Sequence, residues 1–308
     1  MSAQPAALGS PVAGHDENVP TSPRIMLTQG SLLLAGLLAG AESALIARRT
    51  PGYSVVSSTV AITLMLLAGW ALLAAGVVFL RKVEKRSVGA LLGAASLAWF
   101  IAQWDSAWAG SELVFGAGLV VGSVCPVLVA HSVLRLKGKL GRVDPVALTF
   151  SYVATVVVAG LARALFFDPR TAGCSECSPN PWLALDSPAI VAAVDALTGV
   201  AGVMWSGLLI AALVLRSMSY TPAQRRILLP ATAVAIGYLA AVFVSYLLEV
   251  GRDFLAHASA GAWLWLAQAV LLVALAAAMA WPAIALRLTR YRLVRLLVGA
   301  TESRPSVG

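Results

Sequence analysis

Long apolar segments, separated by short polar or charged ones, recur along almost the whole sequence. Eight of them are long enough to cross about 30 Å of hydrocarbon at about 1.5 Å per helical residue. No segment shows the two-residue alternation that is typical of a transmembrane strand. We therefore predict an all-α polytopic membrane helix bundle of about eight transmembrane helices. The predicted spans are residues 25–47, 55–80, 88–104, 113–134, 145–167, 189–215, 228–250 and 262–286.

The composition agrees with a membrane protein and excludes an ordinary soluble domain. Apolar residues make up 59% of the chain and charged residues only 12%, whereas soluble domains carry about 25% charged residues. The net charge of +8 is explained by basic residues that flank the apolar spans, so we predict the lipid bilayer as a partner and no nucleic acid. The predicted location is the plasma membrane, with several crossings.

The positions of the basic residues predict the orientation of the bundle. With both termini in the cytoplasm, only Arg48, Arg49, Arg170 and Arg252 fall in outer loops and Arg163 falls within a span. The other Lys and Arg residues are cytoplasmic, as the positive-inside rule expects. The predicted regions are a disordered cytoplasmic tail (1–24), the eight-helix bundle (25–286) and a basic juxtamembrane helix and tail (287–308).

Ionisable residues within the spans indicate where function is to be sought, because they are costly at membrane depth. Glu42, Arg163 and Asp195 are predicted to lie at similar depths, roughly 6–9 Å below the outer surface. One interpretation is a structural ion pair between Arg163 and Asp195. The other is an outward-facing polar pocket, with Glu42 as a third member, that binds a ligand.

Small residues and prolines predict how some helices pack and bend. Glycines four residues apart allow close helix approach, and Pro126 and Pro282 are expected to bend the fourth and eighth spans. No metalloprotease motif, phosphate-binding loop or Ser/His/Asp spacing is present. We therefore predict no catalytic residues, no cofactor and no enzymatic activity. The glycine pairs are Gly36/Gly40, Gly89/Gly93 and Gly118/Gly122.

Cys174 and Cys177 form a Cys-x-x-Cys motif in a predicted outer loop, where disulfides persist. Three interpretations stay open for them: a structural disulfide, a redox-responsive pair and part of a metal site. Two thiolates are only half of a tetrahedral ligand set. A metal would therefore need further ligands from another outer loop, where Asp253 and His257 lie.

Two stretches, which begin LAWFIAQW at residue 97 and FFDPRTAG at residue 166, resemble the membrane-embedded sensor region of actinobacterial sensor histidine kinases. The first, LAWFIAQWDSAWAGSELVFGAGLVVGSVCPVLVAHSVL, is similar to that family's WF-x-x-EWNNP-x-x-GS pattern followed by GL and CP-x-LVAH. The second, FFDPRTAGCSECSPN, is similar to FDP-x-x-x-GC-x-x-CPRN. A QA…LVRLLV stretch resembles the exit helix of the family, so the resemblance covers roughly residues 90–308. The landmarks include Trp99, Phe100, Trp104, Cys125, Pro126, His131, Asp168, Gly173 and Asn180.

The resemblance implies a signal-input module. Gln103 and Asp105 replace a Glu and an Asn of the family pattern, and with Glu42, Arg163 and Asp195 they are the candidate ligand-sensing residues. It also implies a homodimer and a cytoplasmic kinase or response-regulator partner. Because the sequence ends before a kinase core, we expect no autophosphorylation by this chain. The alternatives are a small-solute transporter and a membrane thiol-redox protein.

Overall fold

The computed structural model describes residues 23–49, 58–105, 110–171, 179–250 and 261–282. These residues form helices and short connections, and no strand occurs among them. The all-α fold class is therefore confirmed. The predicted N-terminal tail, apart from its last two residues, and the whole of the basic C-terminal region lie outside the described residues.

The helices follow the order of the predicted spans. A short 3-10 turn, Val83–Lys85, precedes α3, and a π-helical stretch, Val153–Leu161, joins α6 to α7. The helices are α1 (Pro23–Arg49), α2 (Thr59–Leu80), α3 (Arg86–Ile101), α4 (Glu112–Val121), α5 (Cys125–Arg135), α6 (Asp144–Tyr152), α7 (Ala162–Phe166), α8 (Pro188–Met218), α9 (Pro222–Val250) and α10 (Gly261–Pro282).

Six helical segments among the described residues are long and apolar enough to cross a membrane. They are α1, α2, the continuous stretch Asp144–Phe166, α8, α9 and α10. The pair α4–α5, bent by 50°, passes the same criteria if it is taken as one span. Helix α3 has only 16 residues. The fold is thus that of a membrane protein, and the predicted count of eight depends on α3 and on the bent pair.

The bend between α4 and α5 has a specific cause in the sequence. Pro126 occupies the second position of α5, and in a continuous helix its ring would clash with the carbonyl group four residues earlier, which belongs to Gly122. Helix α4 ends at Val121, and Gly122 follows it as the C-cap. The predicted effect of Pro126 on the fourth span is confirmed.

Helices α2 and α3 approach each other at backbone distance. A Cβ atom added to Gly89 would lie 2.7 Å from the carbonyl oxygen of Gly76 and 2.6 Å from the backbone nitrogen of Leu80. The predicted role of the Gly89/Gly93 pair in close packing is confirmed, since a Cβ added to Gly76 would in turn lie 3.0 Å from the backbone nitrogen of Gly93. The core around this contact extends to residues of α5, α8, α9 and α10.

One end of the bundle, which we call the basic end, consists of the connections 81–85, 136–143 and 219–221. Side chains tie these connections together: Lys85 donates to the carbonyl oxygen of Leu136, and Lys137 donates to that of Ser219 at 2.8 Å. Arg216 lies 3.7 Å from the buried carboxylate of Asp144. The opposite end, which we call the cavity end, carries the α7–α8 connection and the candidate site.

Candidate functional site

A cavity of about 710 Å³ opens at the cavity end of the bundle. A smaller space of about 160 Å³ shares part of its wall and adds Asp105 and Gly118 to the lining. The polar residues of the larger cavity come from the α4–α5 break, α7, α8, α9 and α10. They are Ser123, Arg163, Asp195, Thr198, Ser245, Tyr246, Glu249 and Gln268.

Arg163 and Asp195 form an ion pair at the wall that the two spaces share. Arg163 Nε lies 3.8 Å from Asp195 Oδ1, and the side chains are 40% and 50% exposed. The guanidinium carbon lies 5.3 Å from the centre of the Phe167 ring. The pairing expected from their matched depths is present. Its exposure shows that the pair borders a cavity and is not sealed within the core.

Asp105 lines the smaller space together with Arg163 and Asp195. Gly118 of α4 lets the segment after α3 pass so closely that an added Cβ would lie 2.3 Å from the backbone nitrogen of Asp105. A side chain at position 118 would therefore push Asp105 away from the wall.

The π-helical stretch Val153–Leu161 leads directly into the turn that carries Arg163. Wide helical turns of this kind often occur at functional sites, because they rotate the residues that follow. Gly160 lies against α4, where an added Cβ would be 2.5 Å from the carbonyl oxygen of Val120. Packing on α4 thus fixes the part of the chain from which Arg163 extends.

Two buried polar atoms in the cavity wall have no hydrogen-bond partner among the described residues. They are Thr198 Oγ1 and Arg163 Nε. Buried polar atoms are normally paired with protein or with a bound molecule. Both atoms are covered by neighbouring protein atoms, so they can bond a ligand or water only after their side chains rotate towards the cavity.

Other polar side chains of the cavity are already connected to one another. Gln268 Nε2 donates to Ser245 Oγ at 3.0 Å, which links α10 to α9. Tyr246 of α9 packs edge-on against Trp205 of α8, with the ring centres 5.8 Å apart. A molecule bound here would therefore contact groups that hold several helices in register.

Two of the predicted ligand-sensing residues do not line either space. Glu42 and Gln103 are half-buried at the cavity end, on α1 and directly after α3. Between them, Ser43 Oγ lies 2.9 Å from the carbonyl oxygen of Phe100 and accepts a hydrogen bond from Trp104 Nε1 at 3.0 Å. These contacts of Ser43 therefore join α1 to the end of α3.

Cys174, Cys177, Asp253 and His257 lie outside the described residues, so the three interpretations of the cysteine motif stay predictions. Within the described part of the chain, no group of three His, Cys, Asp or Glu residues could hold a metal ion. Cys125 is buried, with its Sγ 3.7 Å from the hydroxyl oxygen of Tyr238.

Comparisons of this chain with protein-family models, with curated proteins and with solved structures found no match.

Proposed function

We propose that this chain is an integral-membrane signal-input module, similar to the sensor region of actinobacterial sensor histidine kinases, and that it binds a small polar ligand in the large cavity. The proposal depends on one observation, the convergence of polar side chains from several helices on a space of about 710 Å³. This volume lies within the range of about 300–1,000 Å³ that is usual for small-molecule sites.

The proposal includes a multi-pass arrangement in the plasma membrane, with both termini in the cytoplasm. In it, α3 and the α4–α5 pair each cross the bilayer, which gives eight crossings. The positive-inside rule supports this orientation, because Lys82, Lys85, Lys137, Lys139 and Arg216 all lie at the basic end. The cavity then faces the exterior, where a sensor meets its stimulus.

We propose that binding reaches the cytoplasm through the connections around the cavity. A ligand that contacts Thr198 and the Arg163–Asp195 pair would also meet the Gln268–Ser245 bond between α9 and α10. A change in that bond would alter the packing of α10, which runs to the basic end. We propose that α10 passes this change to a kinase or response-regulator partner, in a homodimer.

The experiment is a ligand screen on the full chain in lipid nanodiscs. A panel of small charged and polar metabolites would be tested for an increase in the unfolding temperature, and we expect at least one compound to stabilise the wild type. The Arg163→Leu/Asp195→Leu double variant, which removes both charges together, is expected to lose this shift. The matched control is Arg142→Leu, because Arg142 is exposed at the basic end.

Three outcomes would contradict the proposal. If the double variant keeps the full shift, the ion pair is purely structural and the cavity is not the site. If no compound in the panel changes the unfolding temperature, the ligand class is wrong. If the stabilising compound shows counterflow across the membrane of proteoliposomes, the chain is a transporter and not a sensor.

A further inference from the structure

A second cavity, a largely apolar groove of about 490 Å³, lies at the basic end of the bundle. Its floor consists of buried residues from four different helical regions: Phe79, Leu136, Ala231 and Met279. Its rim carries Val83 and Ile227, whose side chains are 64% and 52% exposed. The groove is thus an open apolar trough between the ends of α2, α5, α9 and α10.

Two ammonium groups are held at this groove by the residues that line it. Lys82 Nζ lies 5.9 Å from the centre of the Phe79 ring, and Lys85 Nζ donates to the carbonyl oxygen of Leu136. An ammonium group has three N–H donors, so Lys85 keeps donors for another acceptor. With Glu84 as the carboxylate of the lining, the groove carries a net positive charge.

The groove has both an apolar floor and a positive charge. It lies at the ends of the candidate spans α2 and α10, where a bilayer changes from hydrocarbon to water. Helix α2 ends at Leu80, immediately before the lysines, and α10 reaches the groove at Pro282. An apolar trough at the hydrocarbon edge fits an acyl chain, and lysines just beyond it attract a phosphate group. The basic sequence after Pro282 has the same sign of charge as these lysines, so it is a poor occupant by comparison.

We propose that the groove binds an anionic phospholipid of the surrounding membrane, with the phosphate at Lys82 and Lys85 and an acyl chain along the apolar floor. This site is distinct from the polar cavity, which lies at the other end of the same helices. The proposal does not depend on the sensor function. It assigns the basic end a specific lipid contact that is added to the general attraction of basic residues to anionic membrane surfaces.

The test is native mass spectrometry of the full chain, released from nanodiscs that contain equal amounts of phosphatidylglycerol and phosphatidylcholine. We expect wild-type protein to retain phosphatidylglycerol in preference to phosphatidylcholine. Lys82→Ala is expected to lower this preference about tenfold, because it removes one of the two charged donors that contact the phosphate. Ala278→Trp, which fills the groove, is expected to remove the retained lipid without a change in charge.

Lys139→Ala is the matched control, because Lys139 is exposed at the same end and does not line the groove. Its preference should equal that of the wild type. If Lys139→Ala and Lys82→Ala have equal effects, or if Ala278→Trp retains the lipid, the proposal is wrong. A monodisperse elution profile establishes that each variant is folded. If a variant fails to fold, Ile227→Glu at the exposed rim is used instead. Retention of phosphatidylglycerol by Ile227→Glu would also contradict the proposal.

A photo-crosslinking amino acid in place of Val83 identifies the occupant directly. In the same nanodiscs we expect an adduct whose mass is that of phosphatidylglycerol. An adduct with residues 283–308, or with a second copy of the chain, would overturn the proposal in favour of a protein occupant.

Discussion

Asn180 fastens the chain that follows α7 back onto the end of that helix. Its Nδ2 donates to the carbonyl oxygens of Ala164 at 2.7 Å and Phe167 at 2.8 Å, and its Oδ1 accepts from the backbone N–H of Trp182 at 3.1 Å. Because Asn180 is buried, Asn180→Ala should leave these groups unpaired. We expect a loss of about 1–3 kcal/mol in the free energy of unfolding, measured by denaturation in detergent micelles.

Thr171→Val provides the control for this prediction. Thr171 lies in the same connection, but its hydrogen bonds to the carbonyl oxygen of Asp168, at 3.1 Å, and to Asp186, at 3.2 Å, are exposed. Its removal should change the free energy of unfolding by no more than about 0.5 kcal/mol. Equal losses in the two variants would show that burial of the Asn180 bonds does not matter.

The cysteine motif makes a second prediction at the residue scale. If Cys174 and Cys177 are bridged, denatured protein that is alkylated without a reductant should carry one label, on Cys125. After reduction it should carry three labels, because the chain contains three cysteines. Mass spectrometry of the intact protein distinguishes these states. Three labels before reduction would contradict the disulfide and would favour the free pair or the metal interpretation.

The sequence identified the charged residues of the cavity more readily than its uncharged ones. Arg163 and Asp195 stand out because an ionised group within a membrane span is costly and needs a partner. Ser245 gives no such signal, since a serine within a helix satisfies itself by donating to the carbonyl oxygen four residues earlier, here that of Ala241. Whether such a residue also lines a cavity depends on how the helices pack.

Helices α2 and α3 supply the clearest prediction at the element scale. In Gly89→Ala, the new Cβ would meet backbone atoms of Leu80 and Gly76, which cannot rotate away. The helices must separate, and we expect the free energy of unfolding to fall by about 1–3 kcal/mol. The measurement is denaturation in detergent micelles.

Gly30→Ala is the matched control, because a Cβ at that helical position meets no atom within 4 Å. Alanine has the higher helix propensity, so this variant should be neutral or more stable by up to about 1 kcal/mol. If Gly89→Ala were equally neutral, the close α2–α3 contact would not constrain the bundle.

The irregular elements were only partly predictable. Pro126 carries its own signal, since a proline within an apolar span lacks an N–H group and disturbs the preceding turn. The π-helical stretch Val153–Leu161 has no comparable residue. Its sequence, VATVVVAGL, is apolar and would suit an α-helix equally well. The packing of Gly160 on α4 involves residues far apart in the chain, which a local pattern does not report.

At the scale of the whole molecule, hydropathy predicts the class of fold because a chain in hydrocarbon must satisfy its backbone hydrogen bonds within each segment. Hydropathy predicts the number of crossings less well. The predicted third span, 88–104, extends beyond the end of α3 at Ile101. Helix α3 covers about 24 Å at 1.5 Å per residue, which is less than the usual hydrocarbon thickness of about 30 Å.

The number of crossings and the orientation can be tested together by cysteine accessibility in a Cys174→Ser/Cys177→Ser background. Exposed positions on the two sides of α3 are Glu84 and Ser111, and exposed reference positions are Lys139 at the basic end and Leu185 at the cavity end. If α3 crosses the membrane, a membrane-impermeant maleimide should label Ser111→Cys and Leu185→Cys in intact cells. It should label Glu84→Cys and Lys139→Cys only after permeabilisation.

The background protein with Cys125 alone is the control, and it should stay unlabelled because Cys125 is buried. Labelling of Glu84→Cys and Ser111→Cys from the same side would show that α3 does not cross, and the count of eight would be wrong. Labelling of Lys139→Cys in intact cells, with Leu185→Cys protected, would show that the bundle has the opposite orientation. The polar cavity would then face the cytoplasm, and a sensor of external ligands would no longer fit the position of Arg163 and Asp195.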